Sequence, residues 1–103
     1  MIRGTTPTLT FTLPFNVSEI STYYITIGQL NGLEIDSVIE KDQDDCESSG
    51  KVITCVLTQE DTLKLHADYP VMIQIRAKTN EGTALASRMI KTTADAIIKD
   101  GVI

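Results

Sequence analysis

The stretch from residue 69 to 79 alternates more strictly than any other in the chain. Val71, Ile73, Ile75 and Ala77 fall on one side, and Met72, Gln74, Arg76 and Lys78 on the other. Side chains of a strand point alternately to its two faces, so a period of two with one apolar set describes a half-buried strand. A chain built around such a ribbon must cover that apolar face with a second layer. The flanking segments supply candidates. Residues 51–57 read as a strand, 58–65 as a short helical turn, Asn80-Glu81-Gly82 as a tight turn and 83–92 as a returning strand. In that last segment Leu85 and Met89 share a parity while Ala84, Ala86 and Ile90 take the other, and a bulge around Arg88 reconciles them.

Earlier segments repeat the pattern. In residues 6–13, Leu9, Phe11 and Leu13 alternate with Thr8, Thr10 and Thr12, and Pro7 stands at the start, where a strand tolerates it. Residues 14–22 break the alternation as a turn or short helical segment. Residues 23–30 set Tyr23, Ile25 and Ile27 on one face, and Asn31-Gly32 then signals a hairpin. Residues 33–41 return with Leu33, Ile35 and Ile39 inward, although Ser37 and Val38 blur the pattern and suit a bulge there. Residues 42–50 form the most polar loop. In 51–57, Ile53, Cys55 and Leu57 oppose Val52 and Val56, so both faces are apolar, as in a central strand or one covered by the tail. Thr58 is placed to cap the helical turn, with Asp61 near its positive end and Leu63 and Leu65 plugging it into the core.

These elements predict an all-β fold: an antiparallel, immunoglobulin-like β-sandwich of six to seven strands with one short helical turn. Residues 1–93 form the domain. Residues 94–103, with Ile97, Ile98, Val102 and Ile103, admit three readings: a seventh strand, an arm for a partner, or a frayed end. With 42% apolar and 22% charged residues, the 103-residue chain affords one packed core, and without Trp that core is built from Ile, Leu and Val. A net charge of −5 with basic residues scattered singly argues against a nucleic-acid surface. Residues 1–7 lack the apolar run of a signal peptide, and no stretch is long and apolar enough for a membrane helix. Cytoplasmic synthesis is the expectation, with reduced thiols.

Little here promises chemistry. Asp42, Asp44, Asp45 and Glu47 cluster, but Cys46 and Glu47 stand where a calcium loop wants an oxygen ligand and a glycine, so a solvated charged turn is expected. His66 is the only histidine and lacks a paired carboxylate and nucleophile. If a hairpin turns at Ser48-Ser49, Cys46 faces Lys51 and Cys55 faces Asp42, so pairing the cysteines demands another register or a bulge. No catalytic, cofactor-binding or metal-ligating residue is assigned, and a non-enzyme is expected. What remains is surface, above all the Thr8, Thr10 and Thr12 face and the apolar tail.

Three segments carry a resemblance. They are Met1-Ile2-Arg3-Gly4-Thr5-Thr6-Pro7-Thr8 with Phe11-Thr12-Leu13-Pro14-Phe15, then Leu57-Thr58-Gln59-Glu60-Asp61-Thr62-Leu63, and Ile98-Lys99-Asp100-Gly101-Val102-Ile103. Together they resemble small proteins encoded in prophages of Gram-positive gut bacteria (Clostridia and relatives), beside structural genes. The resemblance implies a virion- or tail-associated protein whose partners are phage structural proteins or further copies of itself. It implies no catalytic residues. Two rivals belong to other classes: an immunoglobulin-like binding module for a carbohydrate or host-surface protein, drawing on Tyr23, Tyr24 and Tyr69, and a carboxylate hydrolase using Asp44 or Asp45.

Overall fold

The computed structural model describes residues 1–87 and 89–103. Among the described residues eight strands form in chain order: β1 (Thr8–Thr12), β2 (Ile20–Asn31), β3 (Glu34–Asp42), β4 (Glu47–Ser49), β5 (Val52–Val56), β6 (Pro70–Thr79), β7 (Ala84–Ala86) and β8 (Ile90–Thr93). One α-helical turn, α1 (Gln59–Leu63), and two 3-10 turns, Val17–Glu19 and Gln43–Asp45, complete the elements. The strands pair antiparallel in two sheets. One has the order β1-β5-β4, and the other β3-β2-β6-β7, with β8 also on β6.

The expected antiparallel sandwich therefore forms. Its core joins Phe11, Ile53 and Cys55 from the smaller sheet, with Leu57 just after β5, to Tyr23, Ile25, Ile27, Ile39, Val71, Ile73 and Ile75 from the larger one. β5 is the central strand of its sheet, but its outer face stays open: Val56 is 55% exposed and Val52 half-buried. In an immunoglobulin constant domain the second strand lies beside the fifth. Here β2 sits in the larger sheet, between β3 and β6.

Local details shift the sequence expectations. The first hairpin turns at Gly32-Leu33, not Asn31-Gly32: Asn31 pairs with Glu34, and Gly32 supplies the positive φ of +66°. Glycine first in a two-residue loop is the type II′ arrangement. The bulge expected near Ser37 and Val38 is present, because Ile27 pairs with Ile39 while Gly28 pairs with Ser37, leaving Val38 extra. Its consequence overturns the inward placement of Ile35. One inserted residue reverses facing along the rest of the strand, so only Ile39 is buried, while Ile35 is 43% exposed. Leu33, also expected inward, lies in the turn and is fully exposed. Residues 42–50, read as loop, hold a 3-10 turn and the edge strand β4.

The return from β6 is split. Arg76 pairs with Ala86, but Ile73 pairs with Ile90, so three steps along β6 match four on the other side. The bulge expected around Arg88 itself lies outside the described residues. Beside it, the Ser87 hydroxyl accepts the Ile75 N–H at 3.0 Å, replacing a ladder carbonyl. Residues 94–103 cross the N-terminal segment and α1. Ala94 is fully buried and its carbonyl accepts the Asp68 N–H at 2.7 Å. Asp95 exchanges backbone hydrogen bonds with Met1 and Arg3, and the Ile103 N–H reaches the Gln59 side chain at 2.9 Å.

Candidate functional site

β1, β4 and β3 are edge strands of their sheets, and of these β1 borders an open groove. Leu13 donates to the Lys51 carbonyl at 2.8 Å, and Leu57 donates to the Pro7 carbonyl at 2.9 Å. Residues of an antiparallel strand point their backbone groups alternately to either side. Leu9, Phe11 and Leu13 therefore spend theirs on β5, and Thr8, Thr10 and Thr12 aim theirs away from the sheet. Among the described residues no strand pairs with that side of β1. The three threonine side chains are exposed as well.

Beside this edge the two sheets part. The far bank is β7 and β8, at the margin of the larger sheet, and between the banks lies a groove of about 530 Å³. Phe11, Ile75 and Ala77 lie along it, with Leu13 and Phe15 on the β1 side and Leu85 and Ile90 opposite. Ile90 is 50% exposed although it faces Ile73 across the ladder. The site thus joins a row of unpaired peptide groups to an open apolar trough. That combination suits an extended chain, whose backbone would pair with β1 while alternate side chains enter the groove.

The acidic cluster serves the backbone. Asp42 accepts the Asp44 N–H at 2.9 Å, and Asp45 accepts the Asp42 N–H at 3.1 Å. Among the described residues no three His, Cys, Asp or Glu side chains converge as a metal site. His66 lies on the surface with its ring 5.8 Å from that of Tyr69. Tyr23 is buried among core residues, which removes it as a binding platform, while Tyr24 is 45% exposed on the outer face of β2.

No protein-family model, curated protein or solved structure matches this chain.

Four ionisable groups are displaced from their ordinary values: Tyr23, Lys41, Cys46 and Asp61. Burial, aided by neighbouring Cys46, pushes the Tyr23 hydroxyl up to about 12. Lys41 donates to the Asp61 carboxylate at 2.8 Å, linking β3 of the larger sheet to α1. That hydrogen bond raises Lys41, against the opposing effect of burial. Burial by itself would raise Asp61, but the bonds from Lys41 and Thr58 outweigh it and hold the carboxyl below its ordinary value. The Thr58–Asp61 capping box expected from the sequence is present, with Asp61 N–H to Thr58 Oγ1 at 3.1 Å and Thr58 N–H to Asp61 Oδ2 at 2.9 Å. These groups brace the fold. The apolar groove was not foreseen, because it depends on which strands end at sheet margins.

Proposed function

We propose that this chain is a non-enzymatic structural or assembly protein that works through protein–protein contacts along the open side of its sandwich. The observation that carries this reading is the outward-facing edge of β1 beside the groove. Its partner presents an extended segment with apolar side chains at alternate positions, supplied by another structural protein or a further copy of this chain. The phage setting, in the virion or its tail, rests on the resemblance of the three sequence segments.

Mass spectrometry of density-purified particles from an induced lysogen encoding the chain tests the setting. Many copies per particle support it, and abundance in the lysate with absence from particles removes it. Thr10→Pro tests the contact. The Thr10 N–H points away from β5, so proline removes no ladder bond there, yet it blocks pairing on the open edge. Loss of particle incorporation by a folded Thr10→Pro protein supports the reading, and undiminished incorporation rejects it.

A second reading, a carbohydrate-binding module, draws on the outer face of β2 and β6. Tyr24 stands exposed directly opposite Arg76, with Thr22, Glu40 and Lys78 around it. An aromatic face ringed by polar groups suits a sugar. Binding on a glycan array that disappears in Tyr24→Ala favours this reading over the first, and a flat array dismisses it.

A further inference from the structure

The hairpin joining β4 to β5 turns at Gly50-Lys51 rather than Ser48-Ser49, and this changes the relation of the two cysteines. Ser49 pairs with Val52, Ser48 with Ile53 and Glu47 with Thr54. One further step in that register sets Cys46 opposite Cys55, and Cys46 is still extended there, at φ −125° and ψ 161°. The type of pair is fixed by the neighbouring ladder. The Lys51 carbonyl bonds Leu13 of the segment following β1, so Lys51, Ile53 and Cys55 direct their peptide groups toward β1, and Val52 and Thr54 direct theirs toward β4. Cys46 and Cys55 thus occupy a non-hydrogen-bonded position. Such positions bring the Cα atoms to about 4.5 Å, within the span of about 4.4–6.8 Å that a disulfide bridges.

Both side chains stand on the inner face. Cys55 is fully buried, and Cys46 is half-buried, packed against the core from the margin of the sheet. The Cys46 thiol interacts with the Cys55 thiol and the Tyr23 hydroxyl. Both are free thiols in this structure.

We propose that Cys46 and Cys55 are a reversible disulfide site, closed by exchange with a low-molecular-weight disulfide of the oxidised-glutathione type. The Cys46 thiolate attacks one sulfur of the small disulfide, forming a mixed disulfide and releasing one thiolate, which takes up the proton that Cys46 lost. The Cys55 thiolate then attacks the Cys46 sulfur, breaks the mixed bond and releases the second small thiol with the proton from Cys55. Two protein thiols are oxidised and one small disulfide is reduced to two thiols, so no other oxidant is required. Cys46 reacts first because Cys55 is sealed from solvent. Burial, together with Cys55 and Asp45, pushes the Cys46 thiol up to about 12. Closure is accordingly slow near neutrality and quickens in alkaline buffer. The closed bridge would clamp the short edge strand β4 to β5.

The test incubates the full-length protein with oxidised glutathione in mildly alkaline buffer, followed by intact mass and a non-reducing digest. The expected product has lost the mass of two hydrogens, retains no glutathione, yields a linked Cys46–Cys55 peptide and melts several degrees higher. Cys55→Ala should instead keep a glutathione on Cys46, and Cys46→Ala should remain unmodified. A wild-type protein that holds glutathione on Cys46, or forms covalent dimers, overturns the proposal. So does a folded protein left unchanged while the urea-unfolded chain oxidises.

Discussion

The side chain of Gln29 and the backbone of His66 hold each other by two hydrogen bonds: Gln29 Nε2 donates to the His66 carbonyl at 2.8 Å, and the His66 N–H donates to Gln29 Oε1 at 2.7 Å. A primary amide carries a donor and an acceptor side by side, as a peptide group does. Gln29, buried at the end of β2, thus satisfies the chain where it leaves α1 on its way to β6. Gln29→Leu should cost about 1–3 kcal/mol, since it leaves two part-buried backbone groups without their partner. Urea unfolding measures this, and a loss within experimental error would show that water replaces the amide.

The Lys41–Asp61 pair ties the larger sheet to α1, with 17% and 10% side-chain exposure. Because the folded Asp61 carboxyl lies below its ordinary 3.8, the unfolded chain takes up its proton first as pH falls. The stabilisation is therefore complete above about pH 4 and drains below it, as the pH passes through the folded value. Asp61→Asn should destabilise by about 2–4 kcal/mol at neutral pH by leaving Lys41 unpaired. It should also flatten the acid limb of the stability curve. An acid limb identical to that of the wild type would refute this assignment.

The core was legible because alternation reports directly on facing. The inward sets on residues 71–75, 23–27 and 53–57 are the sets the structure buries, and Ala77 is half-buried beside the groove. Alternation fails where one residue is inserted: Val38 reverses the strand and sends Ile35 outward, though the sequence marked the bulge. Turn position fails for a related reason. Asn31-Gly32 and Ser48-Ser49 each missed the built turn, in which a single glycine at positive φ comes first, and the second miss hid the facing of Cys46 and Cys55. The groove was illegible since it depends on which strands lie at the margins, a property of topology and not of any local pattern.

Gly28 reports on that same bulge. A Cβ built there would lie 2.8 Å from the Asp36 carbonyl oxygen and 2.8 Å from Ile35 Cγ2. Ile35 can turn away, but the backbone oxygen moves only if β3 shifts. Gly28→Ala should cost about 1–3 kcal/mol through this overpacking. Gly28→Ala/Ile35→Ala should recover only the part due to the side chain. Full recovery in the double variant, measured by thermal unfolding, would assign the whole clash to Ile35.

Tyr23 gives the chain an alkaline limit. Its hydroxyl titrates at about 12 in the folded protein against 10.0 as the ordinary value, so between these values the unfolded chain has released the proton and the folded one has not. Fewer bound protons in the unfolded state mean that stability falls as pH rises. The contribution is intact below about pH 10 and is lost through the folded value, a total of about 2–3 kcal/mol. Tyr23→Phe should be less steeply destabilised over that window, because a side chain that cannot ionise in either state carries no linkage. It also removes the hydroxyl beside Cys46, so its stability at neutral pH must be measured as the baseline. Urea midpoints at stepped pH, compared between the two proteins, decide the matter: parallel curves above pH 10 would mean that Tyr23 ionises freely in the fold.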